Sequence, residues 1–340
     1  MDLIERVEAL SLANGTSGAE RGVRELIVSM LPGGTDYTVD ALGNLIVNAR
    51  GRSRAAKKVM LAAHMDEVGF IATSVCDDGL VKFACVGGIS PAVLCGKRVI
   101  FENGVPGSIG AVPVHLIEGD KRREFPSADD LYIDIGASDE AEALALVKPG
   151  DTAVFESEFR ALGEHKIKGK ALDDRAGCAV MLELLNSENE YDFTCAFTVQ
   201  EEVGCRGVGA AVERVRPDAA IVLEATTAAD LAEVDEAKKV CVLGKGPAIS
   251  FMDRSTVYET ELYRSALALA EEKGIPAQPK TMVAGGNDSG VIHRSLNGVH
   301  TLAVSMPCRY LHSPSCVLDT RDFEAAFRFV KTMTAELCGG

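Results

Sequence analysis

Apolar Leu3, Ile4, Val7 and Leu10 recur at helical spacing and predict a first helix over residues 3–13. Ser17-Gly-Ala-Glu20 reads as a capping box ahead of Val23, Leu26, Ile27 and Met30, which predicts a second helix ended by Pro32-Gly33-Gly34. A hairpin is expected around Gly43-Asn44. The run Val59-Met60-Leu61-Ala62-Ala63 then shows no alternation, which suits a strand buried on both faces, as in a parallel sheet.

From about residue 68 to 165 the pattern changes to short β-branched runs separated by turns such as Val86-Gly-Gly-Ile, Asn103-Gly-Val-Pro-Gly and Lys148-Pro-Gly-Asp. Only Ala137 to Val147 reads as helical there, so a small all-β unit is predicted. After residue 170 the α/β rhythm returns. Helices are expected near 174–186, Tyr258 to Lys273 and Arg321 to Leu337, with strands at Phe193 to Val199, Ala219 to Leu223 and Thr301 to Val304. The expected organisation is a catalytic α/β domain in two parts, 1–67 and 166–340, interrupted by a β-barrel-like insertion over 68–165.

Composition narrows the function. The chain has 340 residues and a formal net charge of −15, which argues against nucleic acid or an anionic membrane as partner. Asp2, Glu5 and Glu8 interrupt the first apolar positions, unlike a secretory signal, and no stretch is apolar enough to span a bilayer, so a cytoplasmic protein is expected. The ten cysteines stand singly, without a CxxC pair, and are expected to be reduced thiols.

Four of the predicted α/β strands run into potential ligands: the first into His64-Met-Asp66, the second into Gln200-Glu201-Glu202, the third into Glu224, and the fourth, after a short loop, into His312. Ligands in open parallel sheets bind beyond the carboxyl ends of the strands, so these residues should share one rim with Asp173-Asp174. Buried carboxylates are costly unless paired or bound to a cation. His, Asp and Glu donors suit Zn²⁺, Co²⁺ or Mn²⁺, and the absence of HExxH excludes the single-zinc helical protease site.

His64-Met-Asp66-Glu67-Val-Gly69, Ala171-Leu-Asp173-Asp174-Arg175-Ala-Gly177, Glu201-Glu202-Val-Gly204, Gly285-Gly-Asn-Asp288 and Arg309-Tyr310-Leu-His312-Ser-Pro314 occur in the order found in one family. With Ser17-Gly-Ala-Glu20 and Asp40-Ala-Leu-Gly-Asn44, they make the chain resemble the TET-type metalloaminopeptidases, the glutamyl and deblocking aminopeptidases sometimes labelled endoglucanase. The resemblance implies a zinc-peptidase-like mixed sheet flanked by helices and two divalent metal ions per subunit. It places His64 and Glu224 on the first metal, Asp173 between the two, and Glu202 with His312 on the second. Glu201 would be the general base, and Asp66 would accept the His64 N–H. A cis peptide between Asp173 and Asp174 and a tetrahedral homododecamer, to which the insertion contributes, are also implied. The chain departs from the family at Glu224, where Asp is usual, and at Ser315-Cys316, where an acidic residue is common.

The residue types fit that chemistry independently. Two cations sharing a carboxylate sit roughly 3.5–4 Å apart and acidify a water, and a free carboxylate beside them can take its proton. The resemblance implies release of N-terminal residues from short peptides. A deacylase acting on the same site and a non-catalytic scaffold are the alternatives. Arg175 is expected to pair with one of the neighbouring carboxylates or to meet substrate. Arg309 and Lys170 are the cationic candidates for contact with an acidic substrate side chain.

Overall fold

The computed structural model describes residues 1–117, 119 and 125–339. Its first part holds α1 (Leu3–Leu12), α2 (Arg21–Ser29), β1 (Asp36–Val39), β2 (Leu45–Ala49) and β3 (Val59–His64). Next come β4 (Gly69–Val75), β5 (Val81–Val86), β6 (Arg98–Phe101), β7 (Pro106–Ala111), β8 (Leu131–Asp134), α3 (Glu140–Leu146) and β9 (Thr152–Phe155). The chain returns through β10 (Arg160–Leu162), β11 (Lys166–Gly169), α4 (Leu172–Leu185), β12 (Phe193–Thr198), α5 (Val208–Val215) and β13 (Ala219–Thr227). It ends with β14 (Ala248–Ile249), α6 (Thr260–Glu272), β15 (Gln278–Pro279), α7 (Ser289–Ile292), β16 (His300–Cys308), β17 (Cys316–Asp319) and α8 (Thr320–Gly339).

The central sheet has eight strands in the order β1-β2-β12-β3-β13-β16-β14-β15. Its middle pairs, β12 with β3, β3 with β13 and β13 with β16, are parallel, while β1-β2, β2-β12 and β14-β16 are antiparallel. It is the mixed sheet expected. Alternation along each strand supplies two faces. Leu61, Ala63, Ile221 and Leu223 pack with α1, α2, α4, α6 and α8, whereas Met60, Ala62, Ala220 and Val222 pack with α5 and α7. With helices on both sides, every residue of β3 is buried, which explains its unbroken apolar run.

Strands β4-β5-β8-β7-β6-β9 close into a small barrel. Phe70 fills it, meeting Phe155 and Phe83 edge-on with ring centroids 5.0 and 5.3 Å apart. The hairpin β10-β11 pairs instead with β17, outside the barrel.

Two local expectations are corrected. The capping box belongs to the first helix: Asp2 and Glu5 accept each other's main-chain N–H at 2.9 and 2.8 Å. Ser17 instead donates its hydroxyl to Asp66 at 2.6 Å, and the Glu20 carboxylate accepts from Gly18 and Gln200, so tertiary partners outcompete the local cap. The second correction concerns β13, which continues past Leu223 to Thr227, so Glu224 lies within the strand rather than beyond it.

Candidate metal centre

The carboxyl ends of β3, β12, β13 and β16 bring the predicted residues together. His64 is the last residue of β3, Glu201 and Glu202 follow β12, and Glu224 projects from β13. His312 lies in the loop between β16 and β17, and Asp173 lies at the start of α4, where the Asp173–Asp174 peptide is cis.

Asp173 is the shared member of two groups. His64 Nε2 lies 3.4 Å from Asp173 Oδ1 and 3.4 Å from Glu224 Oε1. On the other side His312 Nε2 lies 3.4 Å from Asp173 Oδ2 and 3.2 Å from Glu202 Oε2. Each trio offers ligand atoms within 4.8 Å of one another. The extra methylene of Glu224 thus still brings its carboxylate to His64.

Hydrogen bonds fix the imidazoles for this task. His64 Nδ1 lies 3.0 Å from the Asp66 carbonyl, and His312 Nδ1 lies 2.7 Å from the Gly88 carbonyl. A carbonyl only accepts, so each Nδ1 carries a proton and each Nε2 can present its lone pair. The Asp66 carboxylate, expected to take the His64 N–H, lies 3.4 Å from Nδ1, beyond its own carbonyl. The same carboxylate also reaches the main chain of the loop after β12. Oδ1 accepts from Glu201 N at 3.0 Å, and Oδ2 accepts from Glu202 N at 3.2 Å and from the Ser17 hydroxyl.

Whether this site suits a cation can be judged from its unsatisfied atoms. His64 Nε2, Asp173 Oδ1, Asp174 Oδ2 and Glu224 Oε2 are buried without a hydrogen-bond partner among the described residues. Such atoms are costly in a dry interior unless something positive meets them. Burial pushes the pKa values of Glu202, Glu224 and Asp174 up, and neighbouring carboxylates add to the effect. Burial likewise pushes Glu201 up to about 7, reinforced by Asp288, Asp173 and Asp66. Burial opposes charge on His312, but Asp173 and Glu202 outweigh it and raise the imidazole to about 10. His64 is raised in the same way, its burial outweighed by Asp173, Asp66 and Glu224. A cluster of buried carboxylates around two imidazoles is a donor set that divalent cations suit.

The remaining candidates are occupied elsewhere. Arg175 is fully buried and pairs with neither Asp173 nor Asp174. It donates to the carbonyls of Met65, Leu10 and Ala13 and lies 3.4 Å from Glu67. Lys170 is buried against Glu67 at 2.6 Å, which engages its charge. Arg309 forks onto Asp230 at 2.5 and 2.9 Å, which engages the charge otherwise available to an acidic side chain. Sequence reasoning missed Ser17 and Gly88 as supports of the site. The first looked like a cap and the second like a turn, and nothing local marks either.

An open sheet with imidazoles and carboxylates gathered at the carboxyl ends of its parallel strands defines an α/β enzyme with its site at that rim. Residues 43–329 match the family described as M42 glutamyl aminopeptidase. The lysyl aminopeptidase of Pyrococcus furiosus is 33% identical, covering 95% of this chain and 94% of its own. The glutamyl aminopeptidase of Lactococcus lactis is 31% identical over 99% of this chain and 97% of its own. The TET1 peptidase of Pyrococcus horikoshii, described as assembling into a tetrahedron or a large octahedral shell, superposes with a TM-score of 0.87 at 36% identity, covering 99% of this chain and 100% of its own. This chain belongs to the M42 glutamyl aminopeptidase family and is a peptidase.

Proposed function

We propose that the protein is a two-metal aminopeptidase that removes N-terminal residues from short peptides. The observation that carries this reading is the position of Asp173, whose two oxygens each face an imidazole Nε2 and a second carboxylate. His64, Glu224 and Asp173 would hold one cation, and Asp173, Glu202 and His312 the other; zinc or cobalt suits the donors, with manganese as a third choice. When bound, the cations supply Lewis acidity to the peptide carbonyl and to a water.

Glu201 lies outside both trios, which leaves its carboxylate to act as the base beside them. It takes the proton of the attacking water and returns it to the leaving amine. Asp66 holds the Glu201 and Glu202 amides, so the base and its ligating neighbour keep a fixed offset. No described helix is long and apolar enough to cross a membrane, which is compatible with a cytoplasmic peptidase. Assembly into a tetrahedral dodecamer with the barrel at subunit contacts is part of the proposal, motivated by the TET1 relative.

Turnover of Leu-, Glu- and Ala-p-nitroanilides by the metal-loaded protein, compared with N-acylated analogues, tests this. Cleavage of the free amines is expected. Activity confined to blocked amines would mean a deacylase. Exhaustive chelation should abolish turnover, and cobalt or zinc should restore it; full activity after chelation would refute the metal requirement.

A further inference from the structure

Beside the two trios centred on Asp173 lies a third set of donor atoms. Glu201, Cys205 and Asp288 offer a carboxylate oxygen, a sulfur and a second carboxylate oxygen within 4.8 Å of one another, and none of them belongs to either trio. Local structure builds this set. The amides of Gly204 and Cys205 both donate to the Glu201 carbonyl at 2.8 Å, and Cys205 takes a left-handed φ of 52°. The turn therefore folds back on itself, and the Cys205 thiol donates to Glu201 Oε1 at 3.3 Å. From the other side, Thr198 at the end of β12 donates to Asp288 Oδ2 at 2.7 Å. Asp288 is only 2% exposed, yet its Oδ1 has no hydrogen-bond partner among the described residues. A thiol has one proton, so Cys205 cannot satisfy Glu201 and Asp288 at once.

We propose that Glu201, Cys205 and Asp288 form a separate site for a thiophilic divalent cation of the zinc class, and that its occupation inhibits the enzyme. One sulfur with two carboxylate oxygens selects zinc or cadmium over magnesium, calcium or manganese. Metal–sulfur and metal–oxygen bonds of about 2.3 and 2.1 Å around a tetrahedral ion place the two donors about 3.6 Å apart. The Sγ to Oε1 separation of 3.3 Å is already close to that. On binding, the S–H bond breaks, the sulfur pair goes to the cation and the proton leaves to solvent. Glu201 is then tied to the cation and cannot accept a proton from water. The inhibitory effect rests on Glu201 being the general base; the cation site itself does not.

The test uses the full chain loaded with cobalt and titrated with Cd²⁺. Four quantities are followed together: cadmium–thiolate ultraviolet absorption, cadmium bound per chain, cobalt retained and peptidase rate. In the wild type, absorption should grow as the rate falls while cobalt stays bound. Cys205→Ser and Cys205→Ala should remove that absorption and move inhibition, measured against each variant's own cadmium-free rate, to cadmium concentrations at least about tenfold higher; loss of even an outer partner of a metal ligand costs that much affinity. Identical titrations of wild type and both variants, inhibition that only tracks cobalt loss, or an undiminished rate with the thiolate signal saturated would each overturn the proposal. If no preparation cleaves peptides, Cys205-dependent absorption and bound cadmium still decide the site, so that outcome counts against the aminopeptidase reading alone.

Discussion

Asp173 is 7% exposed and carries a charge that only its neighbours can justify. Burial alone would raise its pKa, but His312 and His64 reverse this and hold the carboxyl far below its usual range. Replacing it with Asn leaves both trios without a charged shared oxygen. Asp173→Asn is therefore expected to lose both cations together, as read by metal analysis after dialysis. Loss of one ion alone would contradict the shared role. Glu201→Gln should keep the metal content of the wild type and lose about 10²- to 10⁴-fold in kcat, the range for a positioned acid or base. The sign of the pH dependence also follows. Without cations the site holds protons on both imidazoles and on raised carboxyls, so binding must release them. Apparent metal affinity should thus rise with pH, by at most about a factor of ten per pH unit for each proton released. Titration calorimetry in two buffers of different ionisation enthalpy measures that release, and no buffer dependence would contradict it. Of the proposed ligands, His64, Glu202 and Glu224 were legible in the sequence because they sit in or just after buried strands, whereas Asp173 and His312 lie in the start of α4 and in a loop. Their supports were not, since Ser17 and Gly88 act across the fold, and Gln200, Cys205, Tyr310 and His312 adopt left-handed backbone without being glycine. Such conformations are uncommon for residues other than glycine, so residue type alone does not announce them.

At the scale of elements, the rim depends on how α1, β3 and α4 are locked together. Arg175 on α4 reaches carbonyls of α1 and of the segments around it, together with the Glu67 carboxylate just after β3, while Lys170 meets the same carboxylate. Every member is buried, so removing one leaves an uncompensated charge. Glu67→Gln is expected to destabilise the protein by about 3–5 kcal/mol. Chemical denaturation of the metal-free protein measures this, and a change below about 1 kcal/mol would show the cluster to be dispensable. The strands themselves were readable because β3 and β13 are apolar on both faces. The length of β13 was misread because Glu224 looked like a terminus, although a carboxylate that meets His64 can sit within a strand. The helix starting at Arg21 was anticipated for the wrong reason, since its supposed cap serves Asp66.

Across the whole molecule, the barrel is joined to the metal centre through Gly88, which follows β5 and accepts from His312. The inserted segment therefore contributes to the site from within the same chain, whatever its part in assembly. Sedimentation of the purified protein should show a particle of twelve chains, and a stable monomer with full activity would show that the shell is not needed for catalysis. Sequence patterning pointed to a small all-β unit in the insertion through short β-branched runs separated by Gly and Pro turns. It could not reveal this contact, because a glycine carbonyl leaves no trace in composition. The central claim is that Asp173 sits between two cations. Anomalous diffraction from crystals of the zinc- or cobalt-loaded protein, recorded at the metal's absorption edge, tests it most directly. Two peaks are expected, one beside His64 and Glu224 and one beside Glu202 and His312, with Asp173 contacting both. A single peak, or metal bound only away from Asp173, would contradict the account.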